Sequence, residues 1–373
     1  MSKKLFLLVL IFSLAVFLTA SRSSKAEVTL TSFGSLVLPE TSAWVNLGIA
    51  ISEGAEGEWD RYLWGGFAES LVKKHGVYYL YYQGSSSFSD TCNDNTYRQI
   101  GVATSTDGIN WTKYAGNPVI TWTDQGAVTE GAVSSGAVLG ADGNIYLYYG
   151  ANSAYDQCLV HAAGRLAQSS DGINFTDVGE VIHNASPLWG FGDEIFPVGV
   201  YENGGSWNVF YIPNGVSKYA NKKLGVITGS SLTGLDPNQS RGVNGGLPAW
   251  GPVSIVSDSS AAYAFVNDPA TNRPVKVYSF APGFPSSMTL RKTYVFSDCM
   301  QASVLYEPEM SRWLMLCRDV PDNAFYRVKV APVVFATPSP TGGPVPTIGP
   351  SSTSSPKSTP PSSSPTPWPT GTK

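Results

Sequence analysis

No stretch of the chain keeps the 3.6-residue apolar period of a helix. Short apolar and aromatic runs broken by Gly, Asn and Asp recur instead. KHGVYYLYYQG (residues 74–84) lines up with ADGNIYLYYGA (141–151), and behind them STDGINW (105–111) lines up with SSDGINF (169–175). Each unit reads as strand, Gly turn, aromatic strand, loop, strand, DGxN turn, strand. Looser copies follow in PVGVYENGGSWNVFYIPNG (197–215), SIVSDSSAAYAFVND (254–268) and ASVLYEPEMSRWLMLCRD (302–319).

Units of this size cannot bury their strands alone, and five of them predict an all-β, five-bladed β-propeller over residues 27–336. A β-sandwich would not repeat one four-strand grammar. In DGIN the Asp, Gly and Asn supply the backbone angles of a tight turn, and Trp111 or Phe175 packs onto it. The sequons at Asn110 and Asn174 fall in these turns and read as turn chemistry.

In a propeller the segments entering the innermost strands converge at one end of the axis, and the DGIN turns lie at the other. The entering segments here are residues 56–70, 121–136, 186–197, 246–252 and 296–302. They carry Trp59, Trp64, Trp122, Trp189 and Trp250, half of the ten tryptophans. They also carry Asp60, Glu69, Asp124, Glu130, Asp193, Glu194 and Asp298. Glycoside cleavage needs two carboxyl groups flanking the bond, and indole faces stack on sugars. The same residues could equally plug loops and bond to backbone N–H groups, so the set is informative where any single member is not.

Charge and the chain ends narrow the context. The net charge of −4 includes four leader cations (Lys3, Lys4, Arg22, Lys25), and the remainder is acidic enough to argue against nucleic acid. Lys3 and Lys4, an apolar run from Leu5 to Phe17 and a small-x-small site at Ser24-Lys25-Ala26 read as a signal peptide over residues 1–26, with an uncleaved anchor as the alternative. Residues 337–373, rich in Pro, Ser and Thr, read as a linker or tail with possible cell-wall or cell-surface association. The expected location is secreted or cell-surface. Four cysteines in an exported chain predict disulfides Cys92–Cys158 and Cys299–Cys317, with four reduced thiols as the alternative. No zinc spacing or phosphate loop is present, so no cofactor is expected, a structural calcium staying open. His75, His161 and His183 read as loop hydrogen-bonders.

The pattern W-D…G-G-F…ESLVKKHGVYYLYYQG…IGVATSTDGINWTKYAGNPV resembles the five-bladed β-propeller glycoside hydrolases of families 43, 32, 62, 117 and 130, over residues 55–335. The resemblance implies hydrolysis of an oligo- or polysaccharide by a monomer. In family 43 terms it implies a base on blade one (Asp60 or Glu69), a residue tuning the acid on blade two (Glu130 or Asp124) and a general acid, Glu194, on blade three. It makes Trp59, Trp64, Trp122, Trp189, Trp250 and Asp193 substrate-binding candidates. The chain departs from that family at Ala68-Glu69-Ser70, where Asp-Pro is usual, and at Ser135-Gly136, which carries no acid. Two alternatives stand beside it: a sugar-binding propeller without catalysis, and a family 130-like phosphorylase using Arg98 and Arg165 for phosphate.

Overall fold

The computed structural model describes residues 36–63, 70–86, 98–121, 129–155, 159–183, 188–190, 194–214, 223–257, 261–319 and 325–332. Among them regular structure is strand, with helix confined to short 3₁₀ turns. β1 (Val45–Ser52) precedes the repeats. Blade one holds β2 (Tyr62–Leu63), β3 (Ser70–Lys74), β4 (Val77–Ser85), β5 (Gln99–Ser105) and β6 (Thr112–Lys113), with β2 and β3 both pairing with β4. Blade two is β7 (Thr129–Leu139), β8 (Ile145–Tyr155), β9 (Leu159–Ser169) and β10 (Thr176–Ile182). Blade three is β11 (Glu194–Asn203), β12 (Ser206–Asn214), β13 (Lys223–Gly229) and β14 (Arg241–Pro248), and blade four is β15 (Val253–Ser257), β16 (Ala262–Asn267), β17 (Val275–Phe280) and β18 (Thr289–Tyr294). Blade five is β19 (Met300–Glu307), β20 (Arg312–Arg318) and β21 (Phe325–Pro332), and its fourth strand is β1.

The five-bladed propeller is therefore present, with one element the repeats did not reveal. β1 runs antiparallel to β21, Val45 opposite Val330 and Ser52 opposite Phe325, so the start of the domain closes the ring onto its last blade. β1 also shares a local signature with β10. Gly48 N–H donates to Asn46 Oδ1 (2.9 Å) and Gly179 N–H to Asp177 Oδ1 (3.3 Å), each at a register shift with the glycine at positive φ. An Asn or Asp followed two residues later by Gly thus marks a bulged outer strand.

The aromatic runs are strands buried on both faces. In VYYLYY the even residues Tyr78, Leu80 and Tyr82 join Leu314, Leu316 and Tyr326 between blades five and one. The odd residues Tyr79 and Tyr81 join Val72, Leu147 and Tyr149 between blades one and two. IYLYY repeats the arrangement one blade on, with Tyr146 and Tyr148 meeting Leu166, Ile195 and Tyr211. Such alternation across two packed neighbours explains an unbroken apolar run where a half-exposed strand would alternate.

At the axis the five inner strands converge on a ring of small residues: Ser70, Gly136, Gly199, Ser254 and Ser303. A Cβ at Gly136 would lie 2.8 Å from Gly199 N, and one at Gly199 would meet the Val253 carbonyl more closely still. Ser70 Oγ accepts from Ala137 N–H (3.2 Å) and Ser254 Oγ from Val304 N–H (2.8 Å), so two serines stitch adjacent blades. The ring encloses an axial cavity of about 230 Å³.

One end of this channel is bound by ionic and turn chemistry. Glu307, 1% exposed, accepts from Lys73 Nζ (2.8 Å), Arg312 Nε (2.6 Å) and Tyr78 Oη, joining blade five to blade one. Arg312 Nη2 also donates to the Asp107 carbonyl (2.7 Å), which places the first DGIN turn at this end. In that turn Asp107 accepts from the N–H groups of Asn110 (2.8 Å) and Ile109 (2.7 Å) and from Asn110 Nδ2 (2.7 Å). Those bonds, from Asn110 first, hold the Asp107 carboxyl well below the ordinary carboxylate range. Asp171 and Asn174 repeat the pattern, so both Asn side chains serve the turns.

The Cys299–Cys317 disulfide staples β20 to the residue before β19, with Cα atoms 5.5 Å apart. Cys92 and Cys158 lie outside the described residues.

Candidate functional site

The other end of the channel is where the inner strands begin. β3 opens at Ser70, directly after Glu69, and β7 has Glu130 as its second residue. β11 opens on Glu194 itself. The Glu194 main chain is paired on both sides, with Asn214 of β12 and, in parallel, with Ala162 of β9 in blade two. Each of the first three inner strands therefore has a glutamate at or beside its head. Trp64, Glu69, Trp122, Asp124 and Asp193 lie outside the described residues, as do the side chains of Glu130 and Glu194.

Trp59 and Asp60, expected at this mouth, pack on strands β4 to β6 of blade one. The Trp59 indole lies against Gly84 and Gly101, which leave room for it by lacking side chains: a Cβ on either would come within 2.7 Å of the ring. It also meets Tyr82, ring centroids 5.6 Å apart. Asp60 is 3% exposed, and its Oδ2 accepts from Lys113 Nζ (2.6 Å) and Tyr82 Oη (3.1 Å). Burial, then the Asp60 charge, push the Tyr82 phenol far up, so it remains a donor.

Trp189 repeats this use. Its ring covers Gly225 and Gly242, its backbone N–H donates to Ser240 Oγ (2.7 Å) and its backbone carbonyl accepts from Tyr211 Oη (2.8 Å), beside the layer between blades two and three. A Trp leading into a blade fills a slot cut by two glycines on neighbouring strands. That accounts for Trp59 and Trp189 by packing, where the sequence alone offered them as sugar platforms. Trp250, half-buried ahead of β15, donates its N–H to the Asn267 carbonyl (2.7 Å).

Asp298 belongs to the outer side of blade five, bonded to Lys329 Nζ (2.9 Å) and Asn46 Nδ2 (3.0 Å). Partial burial raises its pKa, and the Lys329 contact outweighs that, leaving it lowered. Arg165, the phosphate candidate, is ion-paired to Asp177 on the outer strand β10, away from the axis. His183 sits exposed beside Glu180 (2.8 Å) on that strand's far end, and the His161 side chain lies outside the described residues.

At the blade-five rim the sequence offered Asp298 but not Gln301, Arg318 or Arg273. Gln301, 2% exposed, has φ of 50° at a bulge in β19, an unusual backbone for a residue with a side chain. Arg318 donates to Gln301 Oε1 (3.5 Å) and to the Leu63 carbonyl of blade one (3.2 Å). Arg273, from the loop between β16 and β17, places Nη1 2.7 Å from Met300 Sδ at the head of β19. No periodicity marks these residues, which come from loops and strand ends.

No family model matches the chain, and no characterised protein matches it in sequence. Solved structures do match in fold. The chain is similar to a glycosyl hydrolase from Bacteroides ovatus at 12% identity, over 81% of this chain and 95% of that one, with a TM-score of 0.56. It is also similar to CoXyl43, a GH43 beta-xylosidase/alpha-arabinofuranosidase from a compost metagenome (12%, 75% and 94%, 0.53). A third match is the beta-1,2-mannobiose phosphorylase of Listeria innocua (12%, 77% and 94%, 0.52). The chain spans 59% of the length of a Bombyx mori GH32 beta-fructofuranosidase. The chain thus has the propeller fold shared by these glycoside hydrolases and phosphorylases.

Proposed function

We propose that this protein is an exported glycoside hydrolase whose reaction takes place at the strand-head end of the channel. The observation that supports the proposal is the position of Glu130 and Glu194 as second and first residues of the inner strands β7 and β11, with Glu69 directly before β3 in the sequence. Glu194 is assigned the general acid, giving its proton to the departing glycosidic oxygen. Glu69 is assigned the second carboxyl, accepting a proton from the attacking water or attacking the anomeric carbon itself. Glu130 tunes the acid. Asp60 falls behind Glu69 as the blade-one group, because Lys113 and Tyr82 already hold its carboxylate.

A panel of aryl-glycosides and arabinose-, xylose-, galactose- or fructose-containing polysaccharides tests the reading. Release of reducing sugar supports it. Retention of a polysaccharide without product would favour a binding propeller, a reading weakened by Trp59 and Trp189 being used in packing. Turnover that requires inorganic phosphate would favour the phosphorylase, whose candidate Arg165 is engaged with Asp177.

A further inference from the structure

We propose that the site takes an acidic sugar, and that Arg273 binds its carboxylate. This rests on the glycan-acting reading above and adds the substrate class. Arg273 ends the turn in the loop between β16 and β17, at the same end of the channel as the strand heads. Its backbone is left-handed (φ 41°) and its N–H donates to the Ala270 carbonyl (2.7 Å). The Ala270 N–H is in turn held by Asp268 Oδ1 (2.7 Å). The loop is thus tied at both ends, and its turn sends an exposed side chain across the blade boundary onto Met300.

That landing place does not satisfy a guanidinium. A thioether is a weak acceptor, whereas the planar fork of Arg matches the two oxygens of a carboxylate. Among the described residues no carboxylate is in ion-pair range of Arg273. Three described acids of blades four and five are already paired: Asp268 with Lys276 (2.5 Å), Asp319 with Arg327 (2.5 Å) and Asp298 with Lys329 (2.9 Å). A second cation stands on the same rim, since Arg318 lies directly across the ladder from Met300. An anionic group on a sugar in the channel mouth would find positive charge on the blade four and five side, opposite the glutamates of blades one to three. Of the anions a glycan carries, a hexuronate carboxylate fits the single planar fork best.

Calorimetric titration with trigalacturonate and with its methyl ester reads the preference, and Arg273→Gln tests its source. The wild type is expected to bind the acid about tenfold or more tighter than the ester, the scale of one hydrogen-bonded charge. Arg273→Gln should bring the two within about twofold, and Arg291→Gln, a cation on the outer strand β18, should keep the wild-type ratio. Equal binding of acid and ester by the wild type overturns this inference and leaves the glycan reading standing. So does a ratio unchanged in Arg273→Gln. Tighter binding of a sulfated oligosaccharide than of trigalacturonate, or full competition by inorganic phosphate at the same concentration, also overturns it by naming another anion. If neither these sugars nor the neutral panel binds, the glycan reading falls, and this inference with it.

Discussion

The two ends of the propeller both hold paired, buried acids, Glu307 at one and Asp268 and Asp319 at the other, and differ in what stands beside them. At the turn end every charged group named above has its partner: Glu307 is held by Lys73, Arg312 and Tyr78, and Asp107 and Asp171 are consumed by their own turns. At the strand-head end Arg273 rests on a sulfur, and a glutamate stands at or beside the start of each of the first three inner strands. Paired groups at either end mark the scaffold, and a guanidinium resting on a thioether marks a place where a ligand would supply a better partner. The repeated DGIN phrase belongs to the first kind.

Breaking the turn end should cost stability. Glu307→Ala leaves Lys73 and Arg312 without their buried anion, and removing one partner of such a cluster costs about 3–5 kcal/mol. Chemical denaturation should show that loss, and an undiminished midpoint would mean the blade-five seam is held by packing alone. Gly199→Ala comes next. Its new Cβ runs into the Val253 carbonyl at the axial ring, so overpacking should cost about 1–3 kcal/mol in the same assay.

Asp107→Ala should cost about 1 kcal/mol, the scale of a lost side-chain cap. Its pH dependence has a definite sign. The folded-state pKa is lowered, so the contribution is fully present above the unfolded value near ~4 and is lost as pH falls toward the folded one. The gap between variant and wild-type stability should therefore narrow below about pH 4. A constant gap would show that the turn is held by its backbone. At the small end of the scale, trimming residues 338–373 should leave the melting temperature unchanged, because a Pro/Ser/Thr stretch has little to bury.

These contrasts also explain what could be read in advance. The DGIN turns are local, satisfied by their own residues, and the VYYLYY and IYLYY runs show their pattern in consecutive residues although they pack against neighbouring blades. Cys299 and Cys317 flank one hairpin, and they are bonded. The closing strand β1 escaped notice because its partner lies at the far end of the chain, although its Asn46-Leu47-Gly48 bulge echoes Asp177-Val178-Gly179. The packing of Trp59 and Trp189 was illegible for a related reason. Proximity to an inner strand looked like a place at the mouth, yet the slots between Gly84 and Gly101, and between Gly225 and Gly242, exist only once the strands pair. Arg273 left no signal at all, since its meaning comes from Met300, on the next blade.

The most direct test of the division between the two ends is the dependence of turnover on leaving group in Glu194→Gln. The substitution keeps the shape and removes the proton donor. With poor leaving groups, turnover should fall by about 10² or more, while activated aryl-glycosides, which need little protonation, lose far less. Equal loss on both kinds of substrate, or none on either, would contradict the assignment of chemistry to the strand-head end through Glu194.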